Sequence, residues 1–219
     1  MEISIAAELS GRVTLGVVRL EGVTVKARDA VLEAEVEAYC AELRNQYAGG
    51  RSAEVPGAED ARRLYKALGL DPTKTRPSNE ALLRRALKGE PLYRINTLVD
   101  ALNLSSLRFQ LPFGLYDADR IAPPVALRLG APGEAYEGIR KASVHVEARP
   151  VLVDAEGPFG NPTSDSARTC ISEATRTALV VAYAPAGYGS KRLAEVLDGT
   201  EACLLRHCGG SPTGRVVLS

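Results

Sequence analysis

Between Asp154 and Thr169 the chain reads DAEGPFGNPTSDSART. Turn formers at Gly157-Pro158, Gly160 and Asn161-Pro162 lead into Thr163, Ser164, Asp165, Ser166, Arg168 and Thr169. Hydroxyls donate and accept, a carboxylate accepts, and a guanidinium grips a carboxylate or phosphate as a planar fork. Two other stretches carry similar groups. DPTKTRP at 71–77 offers Arg76, and Glu80 comes shortly after it. Residues 94–103 offer Arg94, Asn96, Asp100 and Asn103, the last two spaced three apart so that both address one neighbour on a helix. Brought together, Arg76, Arg94 and Arg168 would supply positive charge, and Asp100, Asp117, Asp154 and Asp165 would accept hydrogen bonds. Such a site suits a zwitterionic or anionic guest, such as an amino acid or the terminal adenosine of a tRNA.

Other chemistries find no support in the sequence. It has no GxSxG elbow, Walker loop, HExxH pair or dinucleotide fingerprint. Only two histidines occur, and His145 sits in alternation within a short strand, where a packed or surface role is expected. Cys203, His207 and Cys208 form a CLLRHC cluster whose spacing is not that of a structural zinc site. It reads as a helix end with partly buried thiols. No metal and no cofactor is expected.

Lys+Arg and Asp+Glu both number 27 in 219 residues, so the formal charge is zero. A dedicated duplex binder usually shows a basic excess, and no DNA partner is expected. Aromatics make up 5 % with no Trp, which argues against a platform of stacked bases. No secretory leader and no membrane-length apolar run is evident, and the four cysteines show no framework spacing. A cytoplasmic protein with reduced thiols is expected, with no membrane contact.

The elements that must position these groups emerge from periodicity. Val13–Leu20, resumed at Val23–Val25, reads as a strand pair or a bulged strand. Asp29 caps a helix to about Tyr47, which Gly49-Gly50 ends. A short helix covers Asp60–Leu68, with Gly69 as a left-handed cap. Ser78 is expected to cap a helix to Leu87, and Asn96 one through Leu107. Leu111–Asp119 turns into a strand, Val125–Leu129 forms another, and Ser143–Val146 and Val151–Val153 read as two adjacent strands. Thr177–Ala184 is a buried strand; helices at Lys191–Leu197 and Glu201–His207 and a terminal strand near Val216–Leu218 complete the chain. The order predicts an α+β fold, with a mixed, largely antiparallel sheet packed against helices, in one domain over 1–219.

At the polar segments the sequence resembles a known family. TKTRPSNEALLRRALKG, LYRINTLVDALNLSSL, LPFGLYDAD and GPFGNPTSDSART are similar to the B3/B4 domain, most strongly over 60–200, with 1–59 as an N-terminal strand–helix portion of the same domain. That module forms the editing region of the phenylalanyl-tRNA synthetase beta subunit and also stands alone; the stand-alone form is the nearer match. The resemblance implies a pocket between helix and sheet, with Asn103, its partner Asp100 and the Gly160–Ser166 region as lining. It also implies two departures: Gly114 stands where the synthetase has a pocket histidine, and Val181 where it has a pocket glutamate. Three functions remain open on this reading: a module binding a tRNA 3′ end, an aminoacyl group or a free amino acid; a stand-alone hydrolase of misacylated tRNA; and a small-metabolite enzyme reusing the pocket.

Overall fold

The structure is a computed structural model and describes residues 2–48, 52–139 and 141–219. Its elements in chain order are β1 (Ile3–Ile5), β2 (Val13–Glu21), α1 (Ala30–Gln46), α2 (Ala58–Ala67), α3 (Ser78–Lys88) and α4 (Thr97–Phe109). Then come β3 (Phe113–Asp117), β4 (Val125–Leu129), β5 (Ala135–Gly138), β6 (Lys141–His145), β7 (Pro150–Asp154), β8 (Gly157–Gly160), β9 (Thr177–Pro185), α5 (Ser190–Cys208) and β10 (Ser211–Leu218). The fold is α+β, as the order of patterns predicted.

Three layers result. A central antiparallel sheet has the order β10-β2-β9-β3, and a second sheet the order β1-β4-β7-β8, in which only β1 and β4 run parallel. β5 and β6 form a separate hairpin. Every residue of β9 is buried, because both its faces are covered. Ala178, Val180, Ala182 and Ala184 face a helical layer built on α1, α3, α4 and α5. Leu179, Val181 and Tyr183 face the second sheet and α2, against Leu127, Leu152, Phe159 and Leu64. Burial of each such leucine is worth about 1.5–3 kcal/mol, so the two interfaces hold the layers in register.

Helix starts obey capping chemistry. Asp29 Oδ1 accepts from Leu32 N at 2.9 Å, and Asn96 Oδ1 from Val99 N at 3.0 Å. Gly89, at φ 73°, closes α3 in the left-handed conformation that a side chain resists. α4 ends on Gln110, a non-glycine at φ 53°. Its Nε2 donates to Leu107 O, and its carbonyl accepts from Asn79 Nδ2 at 3.1 Å. That pair ties the end of α4 to the start of α3.

Several expectations are corrected. Ser78 is the first helical residue rather than the cap, since Pro77 holds the extended position before it. β2 is one continuous strand that stops before Val23. β6 and β7 are not neighbours: β6 pairs with β5 and β7 with β4 and β8, because Ala148 turns at φ 54° and its N–H bonds Gly130 O. The two C-terminal helices are one, α5. Gly199 inside it is not a break but a contact, where an added Cβ would lie 2.4 Å from the Phe109 ring. Gly49-Gly50 lies outside the described residues.

Candidate functional site

A cleft of about 190 Å³ opens where the start of α3, the middle of α4, the start of β3 and the loop after β8 meet. At ~30 Å³ per water it would hold about six water molecules. Ser78 comes from α3, and Leu102, Asn103 and Ser106 from one face of α4. Phe113 and Ile139 add apolar wall, and Asn161 to Asp165 form the far side.

The loop is held rigidly by its own polar groups. Asn161 Oδ1 accepts from both Thr163 N and Ser164 N, at 2.8 and 2.9 Å, an Asx turn that folds the segment back on itself. Asn161 Nδ2 donates to the Tyr136 hydroxyl, which in turn donates to Ser164 O. The Tyr65 hydroxyl donates to Pro162 O at 2.9 Å and lies 3.1 Å from Thr163 Oγ1. Below, Ser166 and Thr169 share a hydroxyl contact at 3.0 Å, both buried. Asn103 differs from these residues: half-buried at the cleft, its amide makes no hydrogen bond to the described protein.

Asp165 also lacks a full set of partners. Its Oδ1 is sealed from solvent with no hydrogen-bond partner, although the residue as a whole keeps some exposure at the cleft wall. Burial raises its carboxyl from the usual 3.8 to about 7, against the smaller opposing pull of the nearby Tyr116 hydroxyl. Tyr116 is itself buried between two glycines. A Cβ on Gly114 would fall 2.3 Å from its hydroxyl, and one on Gly160 2.4 Å from it. The Tyr116 and Tyr183 hydroxyls lie 3.3 Å apart, and burial raises both phenols. Gly114 and Val181, the two departures from the synthetase pattern, are cross-strand partners in the β3–β9 ladder. The Tyr116 hydroxyl therefore occupies the space into which a side chain at 114 would project.

The structure brings together Asn103, Asn161, Thr163, Ser164 and Asp165 and places the other expected residues elsewhere. Asn96 is spent as the cap of α4. Asp100 accepts from Ile95 N at 3.1 Å, and its burial raises the carboxyl. Arg94 pairs with Glu37 at 3.3 Å. Glu80 is buried in a fork with Arg62, at 2.7 and 2.8 Å. Arg168 grips a carboxylate as its chemistry allows, but that carboxylate is Asp154 at 2.8 Å, with Glu156 at 3.1 Å. Ser166 and Thr169 brace the loop from beneath, and Arg76 is exposed outside the cleft lining. Sequence reasoning missed Ser106, which its i+3 spacing from Asn103 could have revealed, and Phe113, which lies beside Gly114. Among the described residues, no group of three or more His, Cys, Asp or Glu side chains could hold a metal.

Comparison with known proteins places this geometry in a family. No curated protein matches the chain. Among solved structures, an N-terminal fragment of the phenylalanyl-tRNA synthetase beta-subunit from Pyrococcus horikoshii superposes with a TM-score of 0.49 at 12 % identity. The match covers 100 % of this chain and 54 % of that one, so the chain spans about half that fragment's length. Residues 60–194, which include all the residues of the cleft, match the B3/4 domain, and the chain belongs to that family.

Proposed function

We infer that the cleft receives an amino acid, either free or carried on the 3′ adenosine of a tRNA, and that the protein acts as a binding module. The observation that carries this reading is the unspent amide of Asn103, half-buried opposite a braced loop. An amide that faces the cleft with no bond to the protein is open to a ligand able to both donate and accept, each such bond being worth about 0.5–1.5 kcal/mol net. Leu102, Phe113 and Ile139 supply the apolar wall for a side chain. Family membership and the resemblance to the synthetase editing region support the same class of guest. Titration calorimetry against free amino acids, adenosine and tRNA tests the reading. Binding that Asn103→Ala weakens at least tenfold is expected, and silence across the whole set rejects the reading.

A hydrolytic reading has one observation in its favour. Asp165, raised to about 7, titrates where a general acid or base works best near neutral pH. Its test is the release of free amino acid from a panel of misacylated tRNAs. No release above the buffer rate rejects the hydrolytic reading.

A further inference from the structure

Away from the cleft, α1 and the link between α3 and α4 enclose a groove of about 290 Å³, and none of its residues lines the cleft. Val36, Cys40 and Arg44 recur every four residues on one face of α1 and form one wall. Gly89, Leu92 and Arg94 of the link form the other. The link runs antiparallel to the helix. Gly89 lies against the Arg44 side chain, where an added Cβ would be 3.7 Å from Cδ, and Arg94 reaches Glu37 at 3.3 Å. From residue 37 to residue 44 the helix advances about 10 Å, roughly the span of three extended residues.

The link is neither helix nor strand, yet its burial alternates as in an extended chain: Leu92 and Asn96 are buried, while Tyr93 and Ile95 are 61 % and 43 % exposed. It is pinned at both ends. Pro91 O accepts from the Arg85 guanidinium at 2.8 Å, and Ile95 N donates to Asp100 Oδ1 at 3.1 Å. Between those points the main-chain N–H and C=O groups of Leu92, Tyr93 and Arg94 bond to nothing among the described residues. An extended segment with unspent peptide groups is a template onto which a further strand adds. This one is already held in place, so little ordering is left for a guest to bring about.

Charge at the groove is unequal from end to end. Glu37 is met by Arg94, and Glu90 by Arg85 at 3.1 Å. Arg44 is half-buried, and its side chain makes no hydrogen bond or ion pair among the described residues. Each carboxylate at the groove therefore has a cation, and one cation is left over, at the end marked by Gly89. The floor between is apolar: Val36, Cys40 and Leu92 are at most 7 % exposed.

We propose that this groove binds the carboxyl-terminal end of an extended peptide, laid along residues 92–94 as an added strand, with its terminal carboxylate on Arg44. Main-chain pairing with the link supplies affinity, and apolar side chains at alternate positions of the peptide enter between Val36, Cys40 and Leu92. The guanidinium takes the carboxylate as a fork. The site is independent of the cleft and of what the cleft holds.

The test is fluorescence anisotropy with the pentapeptide Gly-Thr-Val-Thr-Val, labelled at its amino end. It is used with a free carboxyl, as the carboxamide, and with a free carboxyl and methylated nitrogens in its last two peptide bonds. The free-carboxyl peptide should bind at least tenfold tighter than the carboxamide and at least fivefold tighter than the methylated form. Arg44→Ala should abolish the advantage over the carboxamide while leaving the circular dichroism unchanged. Should that variant lose its fold, Arg44→Gln, which keeps most of the length without the charge, carries the same expectation. Equal affinity of acid and carboxamide, or of methylated and unmethylated peptide, overturns the proposal. No saturable binding up to about 1 mM also overturns it. Acetylvaline binding as tightly as the pentapeptide, with the same dependence on Arg44, makes this a site for small carboxylates and overturns it too.

Discussion

Replacing Asp165 by Asn changes one proton and little else in shape, and the structure fixes the sign of the resulting pH effect. Unfolded, the carboxyl loses its proton near the usual 3.8; folded, it keeps it until about 7. Between those values the unfolded chain binds fewer protons, so rising pH favours unfolding. The contribution of Asp165 is therefore greatest in acid, declines from about pH 4 to 7, and is level above. The gap is about 3 pH units, and at about 1.4 kcal/mol per unit the loss is roughly 4 kcal/mol. Carboxylates held low by their partners, such as Glu134 with Arg128 and Asp71 with Thr73, act in the opposite direction in acid. They are common to both proteins and cancel in the difference. Urea unfolding of wild type and Asp165→Asn at intervals from pH 4 to 8 measures that difference directly. The variant should gain on the wild type by about 4 kcal/mol over the range. Parallel profiles would show that the carboxyl is not buried as the sealed Oδ1 requires.

Two other perturbations probe the supports of the site. Gly160→Ala would place a Cβ 2.4 Å from the Tyr116 ring, which is fully buried and cannot retreat. A loss of about 1–3 kcal/mol and a lower melting temperature are expected. Tyr116→Leu in the same chain should restore part of it, and an unchanged melting point for Gly160→Ala contradicts the packing. Glu35 on α1 receives Arg108 at 2.8 Å, His207 at 2.9 Å and Arg206 at 3.2 Å, joining α1 to α4 and α5. Glu35→Gln should cost about 1–2 kcal/mol at neutral pH, given its partial exposure. These partners outweigh its burial and hold the carboxyl below its ordinary 4.5, so the stabilisation is present above that value and disappears as pH falls through the lower one. A gap between variant and wild type that persists in strong acid, read by chemical denaturation, argues against the network.

The parts of the fold that were legible in the sequence are those decided locally. Asp29 and Asn96 sit at capping distance from their helices and make the expected bonds. Thr177–Ala184 is apolar at nearly every position because both faces of β9 are covered. The illegible parts depended on remote partners. Lys191–Leu197 and Glu201–His207 read as two helices until Phe109, ninety residues before Gly199, is known to press on that glycine. Ser143–Val146 and Val151–Val153 read as two adjacent strands until Gly130 is seen to exchange backbone bonds with Ala148 and Arg149, which aligns the second of them with β4 instead.

The same distinction governs the site. A polar side chain in a turn-rich segment either holds the turn or faces a guest, and residue type does not separate the two. Asn161 and Asn103 are both asparagines in polar surroundings; the first is consumed by Thr163, Ser164 and Tyr136, and the second is left free. Arg168, Arg94 and Glu80 carry the right chemistry for binding, yet Asp154, Glu37 and Arg62 reach them first. With Arg94 and Arg168 held in ion pairs and Arg76 exposed outside the lining, no Lys or Arg among the described residues lines the cleft. Recognition within it must then rest on hydrogen bonds and shape.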